Sequence, residues 1–201
     1  MSATAAARNN WRANWWNRYA GNYRHRAGEP IPCKEKIMFD KTLSDDRNPD
    51  TLPDDIASLL IPMAERPWLI PNLVVAEVIP LRHPDRPGHG PEWLLGWMHW
   101  REQELPLLSF EKLNESGPVH IGPQARIAIL HSVSGACRFY AMVVQGIPRL
   151  LRVTPGAPRE EPGDIGPAAA MNVQMGGDLA VIPDLDAVEK AVAGLQAGQR
   201  R

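Results

Sequence analysis

From Ile56 onward the chain alternates short apolar segments with clusters of Pro, Gly, Asn, Asp and Ser, the patterning of an all-β domain. The spacing predicts strands over 59–64, 68–70, 73–79, 93–100, 105–109, 126–131, 137–144, 147–153, 169–174 and 179–182. The pair at 93–109 is the organising element, because its Trp, Met and Leu content suits a pleated, half-buried surface better than a helix interior. Arg101-Glu102-Gln103-Glu104 forms its charged turn, with Gly96 before it and Pro106 after it. Pro106 cannot donate a ladder hydrogen bond, so the returning strand is expected to have an edge or a bulge there. One helical turn fits 110–114. Two loops, 80–91 and 155–167, carry four prolines each and read as surface connections, since proline fixes φ and removes a donor.

A longer helix is predicted over 187–195. Asp186 is its candidate N-cap, and Glu189 three residues on completes a capping-box pattern. Val188, Val192 and Leu195 share one face, which would cover one end of a barrel. The expected organisation is a leader and acidic linker over 1–55, a domain over 56–196 and a fraying tail over 197–201.

At 201 residues and 44% hydrophobic content, the chain can bury one core and carry a tail besides. A net charge of −1 argues against bulk attraction to nucleic acid or to an anionic membrane. The distribution is uneven. Residues 1–37 hold seven Lys/Arg against two Glu, interleaved with Trp11, Trp15, Trp16, Tyr19 and Tyr23, whereas 38–55 hold two Lys/Arg against six Asp. Arginine beside stacking aromatics is what a single-stranded nucleic-acid contact uses. Aliphatic core formers are nearly absent there, however, so the segment reads as a disordered leader, and Met38 is a candidate later start of translation. Cys33 and Cys137 lie outside any C-x-x-C pattern, so neither a disulfide framework nor a zinc site is indicated and a reducing cytoplasm is expected. No apolar run approaches the roughly 18 residues that a membrane helix needs. The opening residues have Asn, Trp and Arg where a signal peptide has its apolar core, so neither membrane insertion nor export is expected.

No metal or cofactor is expected. The six histidines do not fall at metal-ligand spacing, Gly88-His89-Gly90 lacks the third glycine and following helix of a dinucleotide fingerprint, and no phosphate loop occurs. His83-Pro84-Asp85 and His89 read as a solvated loop. Ser132 and Ser134 belong to a turn ending at Gly135, not to the strand-to-helix elbow that a hydrolytic serine needs. Cys137 is expected in a hydrogen-bonded strand, buried and unreactive. Two charges stand out. Glu77 interrupts the run 73–79, and Arg101 closes the Trp-rich strand; a carboxylate so placed either points to solvent by alternation or has a cationic partner. Trp97 and Trp100 have opposite parity, so one should face the core and the other the surface, where tryptophan beside arginine is a common interface composition.

Four motifs in order resemble the CheW-like coupling domains. Val75-Ala76-Glu77-Val78 matches a V-x-E-[VI] core; Gly96, Arg101 and Pro106 match the glycine, arginine-turn and proline hairpin; Val144-Gln145-Gly146-Ile147 stands where a v-D-x-V pattern ends two strands; and the stretch 179–186 matches the final strand with its acidic helix start. The resemblance covers about 56–196. It implies two five-stranded SH3-like barrels around a shared core, no catalysis, and an adaptor that binds the cytoplasmic tip of a chemoreceptor and the regulatory domain of a CheA-type histidine kinase. Val75, Glu77 and Arg101 correspond to the family's partner-binding surface, to which Trp97 and Trp100 are added from their position on the hairpin. The departures are Arg101-Glu102 for an Arg-Gly turn, Gln145 for aspartate, and His99-Trp100 before the arginine, which are similar to divergent accessory members of type IV pilus systems. The competing readings are a β-barrel nucleic-acid binder using residues 1–37 and, more weakly, a small hydrolase.

Overall fold

Twelve strands and two α-helices are present among the described residues, 55–154 and 157–198, of a computed structural model. The basic leader over 1–37, the acidic linker as far as residue 54 and the end of the tail lie outside them. In chain order the elements are β1 (Ile56–Ile61), β2 (Trp68–Pro71), β3 (Val75–Pro80), β4 (Arg86–Pro87), β5 (Leu94–Trp100), β6 (Gln103–Leu108), α1 (Phe110–Leu113), β7 (Arg126–His131), β8 (Phe139–Val144), β9 (Arg149–Val153), β10 (Arg159–Glu160), β11 (Ala169–Met175), β12 (Asp178–Pro183) and α2 (Leu185–Gly198). All ten expected strands are present, β7 with the bounds expected and the others with shifted ends. Residues Asn72–Val74 wind into a 3-10 turn after Pro71, whose φ of −59° suits a turn entry, so the third strand starts only at Val75. The two proline-rich loops each contribute a two-residue strand, β4 and β10, that proline content alone argues against.

Two six-stranded sheets result, ordered β10-β11-β12-β2-β1-β9 and β3-β7-β8-β6-β5-β4. Each has five main strands and one two-residue strand, which is the pair of five-stranded SH3-like barrels that the resemblance implies. Hairpins such as β5–β6 and β7–β8 and the long-range pair β3–β7 supply antiparallel ladders, and each sheet also has a short parallel pairing, Val181 with Trp68 in one and Leu107–Leu108 with Ala141–Met142 in the other. The strand β6 therefore lies between β5 and β8, not at an edge. Its Pro106 stands opposite Trp97, just before the parallel pairing begins, and the bulge falls on the facing strand at Leu95.

The core of the second sheet is the alternating set Met98, Trp100, Leu105, Leu107, Ile127, Ile129, Ala141 and Val143. The residues of opposite parity, Ala128, Leu130, Tyr140 and Met142, are equally buried. A sheet covered on both faces has continuous apolar strands, and β7 and β8 are such strands. This overturns the parity expectation for the tryptophans: Trp97 and Trp100 do lie on opposite faces, but both are buried. At Gly96 the chain entering and forming β4 passes so close that an added Cβ would stand 2.4 Å from the Arg86 carbonyl oxygen and 2.5 Å from the Pro84 Cβ, so only glycine fits there.

Helix α2 begins two residues earlier than its sequence pattern indicates and runs past 195. Asp184, not Asp186, caps it, with Asp184 Oδ1 accepting from the Ala187 amide at 3.1 Å. Val188 and Val192 are fully buried and Leu195 half-buried. With the cap at Asp184, Glu189 is too far along the helix to reach back to it, and its carboxylate is used elsewhere.

Candidate partner-binding site at the central hairpin

Strand β3 is an edge strand of the second sheet, antiparallel to β7, and its register slips by one residue between Val75 and Glu77. A bulge of this kind bends a strand and re-aims its side chains. The β5–β6 hairpin arrives from the other end of the chain segment with a two-residue turn, Arg101-Glu102, rather than the four-residue turn that the charge run suggests; Gln103 and Glu104 already pair in β6. Both turn residues have positive φ, 44° and 62°, as a type I′ hairpin requires, although neither is glycine.

These two elements bring Glu77, Trp100 and Arg101 together. Glu77 Oε2 accepts the Trp100 indole N–H at 2.9 Å and an Arg101 guanidinium N–H at 3.1 Å. The guanidinium lies 4.7 Å from the Trp100 ring centroid, close enough for a cation–π contact, and Phe139 meets the same ring edge-on at 5.0 Å. Of the two alternatives for Glu77, the cationic partner is the one realised. Exposure grades outward: Trp100 is 9% exposed, the Glu77 side chain 38% and that of Arg101 60%. Val75 is half-buried on the same edge strand.

Trp97 is not part of this group. It lies on the opposite face beneath Arg86, whose guanidinium is 5.8 Å from its ring and donates twice to Glu104 Oε1, at 3.0 and 2.8 Å. Asp85 ties the same loop down by accepting the His99 amide at 2.6 Å, and this bond, with the His99 ring and the Arg82 charge, holds the Asp85 carboxyl below the usual aspartate range. Arg82 donates to the His99 carbonyl. The stretch 83–85 is largely exposed, as expected of a solvated loop, and Asp85 pins it to β5. Composition carries no signal for this, because the partners are separated in sequence and meet only across the hairpin.

A family model for the CheW-like domain matches residues 58–192. The chain belongs to the CheW-like domain family. Among solved structures, this CheW-like domain is similar to the crystal structure of the scaffolding protein TtCheW from Thermoanaerobacter tengcongensis, with a TM-score of 0.55 and 15% sequence identity, covering 64% of this chain and 88% of that one. That likeness concerns the fold. No curated protein matches the chain.

Two further devices of this CheW-like domain escaped the sequence reading. Gln145 uses both ends of its amide on one loop: Oε1 accepts from the Gly122 amide at 2.9 Å, and Nε2 donates to the His120 carbonyl at 2.6 Å. An aspartate there could make only the first bond. Glu189, fully buried on α2, accepts from the Ser132 hydroxyl at 2.6 Å and from the Val133 and Ser134 amides at 2.7 and 2.8 Å, with the Ser134 hydroxyl adding a fourth contact. The turn serines thus latch the helix. Cys137 lies in the bend that follows, half-buried and outside the strand expected for it. Burial, with the Glu189 charge, pushes its thiol up to about 11. No group of three or more metal-ligating side chains occurs among the described residues, and no helix among them is long and apolar enough to cross a membrane.

Proposed function

We propose that this CheW-like domain is a non-catalytic adaptor of bacterial chemosensory signalling, working in the cytoplasm and joining a chemoreceptor tip to the regulatory domain of a CheA-type histidine kinase. The folded adaptor is the segment 56–196. The observation that carries the reading is the Glu77–Trp100–Arg101 group, which sets an arginine, an acceptor and an aromatic edge beside the outer strand β3. A sheet edge offers unpaired backbone groups to a partner, and arginine and tryptophan are the residues that most often dominate a binding interface. Val75 and Glu77 would contact the partner from β3, Trp100 and Arg101 from the hairpin, and Trp97 would support the hairpin from behind. The divergent turn and Gln145 favour a pathway that controls type IV pili over one that controls flagella.

Calorimetric titration of the full chain with a purified kinase regulatory domain tests the coupling. Saturable binding that Arg101→Glu weakens supports it; absence of binding to regulatory domains from both pilus and flagellar pathways overturns it. Loss of twitching without loss of swimming on gene deletion would support the pilus assignment, and the reverse pattern would sink it.

A further inference from the structure

A cleft of about 510 Å³ opens between α1 and the connection from β10 to β11, and it shares no residue with the hairpin site. We propose that it is a docking site for an arginine or lysine side chain carried on an apolar peptide segment of a partner protein. Its charge is one-sided. Glu65, Glu111, Glu115 and Asp164 line it against Arg66 alone, and none of the four carboxylates enters an ion pair among the described residues.

Glu111 is the informative member, because it is only 3% exposed. Its carboxylate accepts the Ser109 hydroxyl at 2.8 Å, while the Ala64 amide stands at 3.4 Å from the other oxygen, beyond a good hydrogen bond. Its one close donor is a neutral hydroxyl, so this buried side chain keeps acceptor sites unfilled that a guanidinium or ammonium group can occupy. The remaining lining fits the rest of such a ligand. Met63, Phe110 and Val181 make a buried apolar floor and Ile165 a 47% exposed lip, suited to the methylene stem and apolar neighbours of a basic residue.

The walls are fixed before any ligand arrives. Asn114 is 8% exposed and spends its Oδ1 on the Ala168 amide at 3.0 Å, whereas its Nδ2 meets no acceptor among the described residues and is free to donate to a peptide carbonyl. The backbone of Gly166 passes so close that an added Cβ would lie 2.0 Å from the Asn114 carbonyl oxygen. Preorganised walls lower the ordering cost of binding.

The test uses the full chain and a short fluorescent leucine-rich peptide with one central arginine, beside the same peptide carrying citrulline, which keeps the shape and loses the charge. Fluorescence anisotropy should show the arginine peptide binding roughly tenfold tighter than the citrulline one, and Glu111→Gln should erase that difference, as expected for one charged hydrogen bond. Asp164→Asn, at the exposed rim, should weaken the arginine peptide severalfold and guards against a fold defect in the first variant. Arg101→Glu should leave peptide affinity unchanged, which separates this cleft from kinase binding. Equal affinity of the two peptides, or no binding of either, overturns the proposal. Self-association of the chain that Glu111→Gln abolishes, without peptide binding, overturns it too, by making a second copy the occupant.

Discussion

Glu77 and Trp100, 23 residues apart in the chain, are joined by a 2.9 Å hydrogen bond from the indole N–H to Oε2, and the same oxygen receives Arg101 at 3.1 Å. One acceptor thus holds a buried and an exposed donor, tying the edge strand to the tip of the hairpin. The two bonds should differ in worth. The indole bond is mostly shielded from water, whereas the ion pair is exposed, and exposed pairs contribute about 0–1 kcal/mol.

Arg101→Glu is therefore expected to lower stability by no more than about 1 kcal/mol, while inverting the charge presented to a partner costs about 2–5 kcal/mol of affinity. Adding Glu77→Arg should restore opposite charges without restoring binding. Thermal unfolding and titration with a kinase regulatory domain on both single variants and the double check this. Unfolding of Arg101→Glu would make the pair structural; normal binding would place Arg101 outside the interface.

The turn stores strain that can be removed. Glu102 has φ of 62°, a left-handed conformation that costs an L-residue about 1–2 kcal/mol. Glu102→Gly should raise stability by about 0.5–1 kcal/mol after the entropy lost by glycine on folding is subtracted. Urea denaturation at constant slope measures it, and a destabilised variant would show that the Glu102 side chain makes a contact worth more than the strain.

Removing the Glu189 carboxylate should be the most damaging single change. Glu189→Ala leaves the Val133 and Ser134 amides and the Ser132 hydroxyl without their acceptor. The expected loss is about 3–5 kcal/mol, since bonds to a charged acceptor contribute about 1.5–3 kcal/mol each and are not additive. Glu189→Gln, which keeps one acceptor oxygen, should lose less. Equilibrium unfolding of the two variants ranks them, and equal losses would show that the charge and not the hydrogen bonding dominates.

Cys137, with its thiol at about 11, should be protonated and slow to alkylate at neutral pH. Alkylation of the native protein should accelerate with pH up to about 11. The same shift has a sign for stability: burial disfavours the thiolate, so the folded state is favoured below the unfolded thiol value and loses that advantage as pH rises toward 11. Rapid labelling at neutral pH would contradict the burial of this sulfur.

Gln145→Asp, which installs the aspartate that the motif resemblance implies, should destabilise this chain by about 1–2 kcal/mol, because the bond to the His120 carbonyl disappears and a carboxylate meets that oxygen instead. Hydrogen exchange at the Gly122 amide should rise. Unchanged protection would mean that the loop is held by other contacts.

Alternation and turn chemistry by themselves determined the all-β class, the existence of ten strands, the hairpin at the centre and the C-terminal helix, because strand period and Gly/Pro punctuation act over a few residues. They also singled out Glu77 and Arg101 as charges that interrupt apolar runs. Which partner each charge would find was decided only by the tertiary structure. The bulge in β3 and the tight turn after Trp100 bring Glu77 to Arg101, a meeting that no local pattern encodes. Both tryptophans became buried because the sheet is covered on two sides, so parity, which separates faces, could not separate core from surface. Glu189 passed from an expected helix cap to a latch on a turn 55 residues away when the cap moved to Asp184. Buried polar groups take whichever partner the closed fold brings within reach, and their satisfaction is a property of that closure.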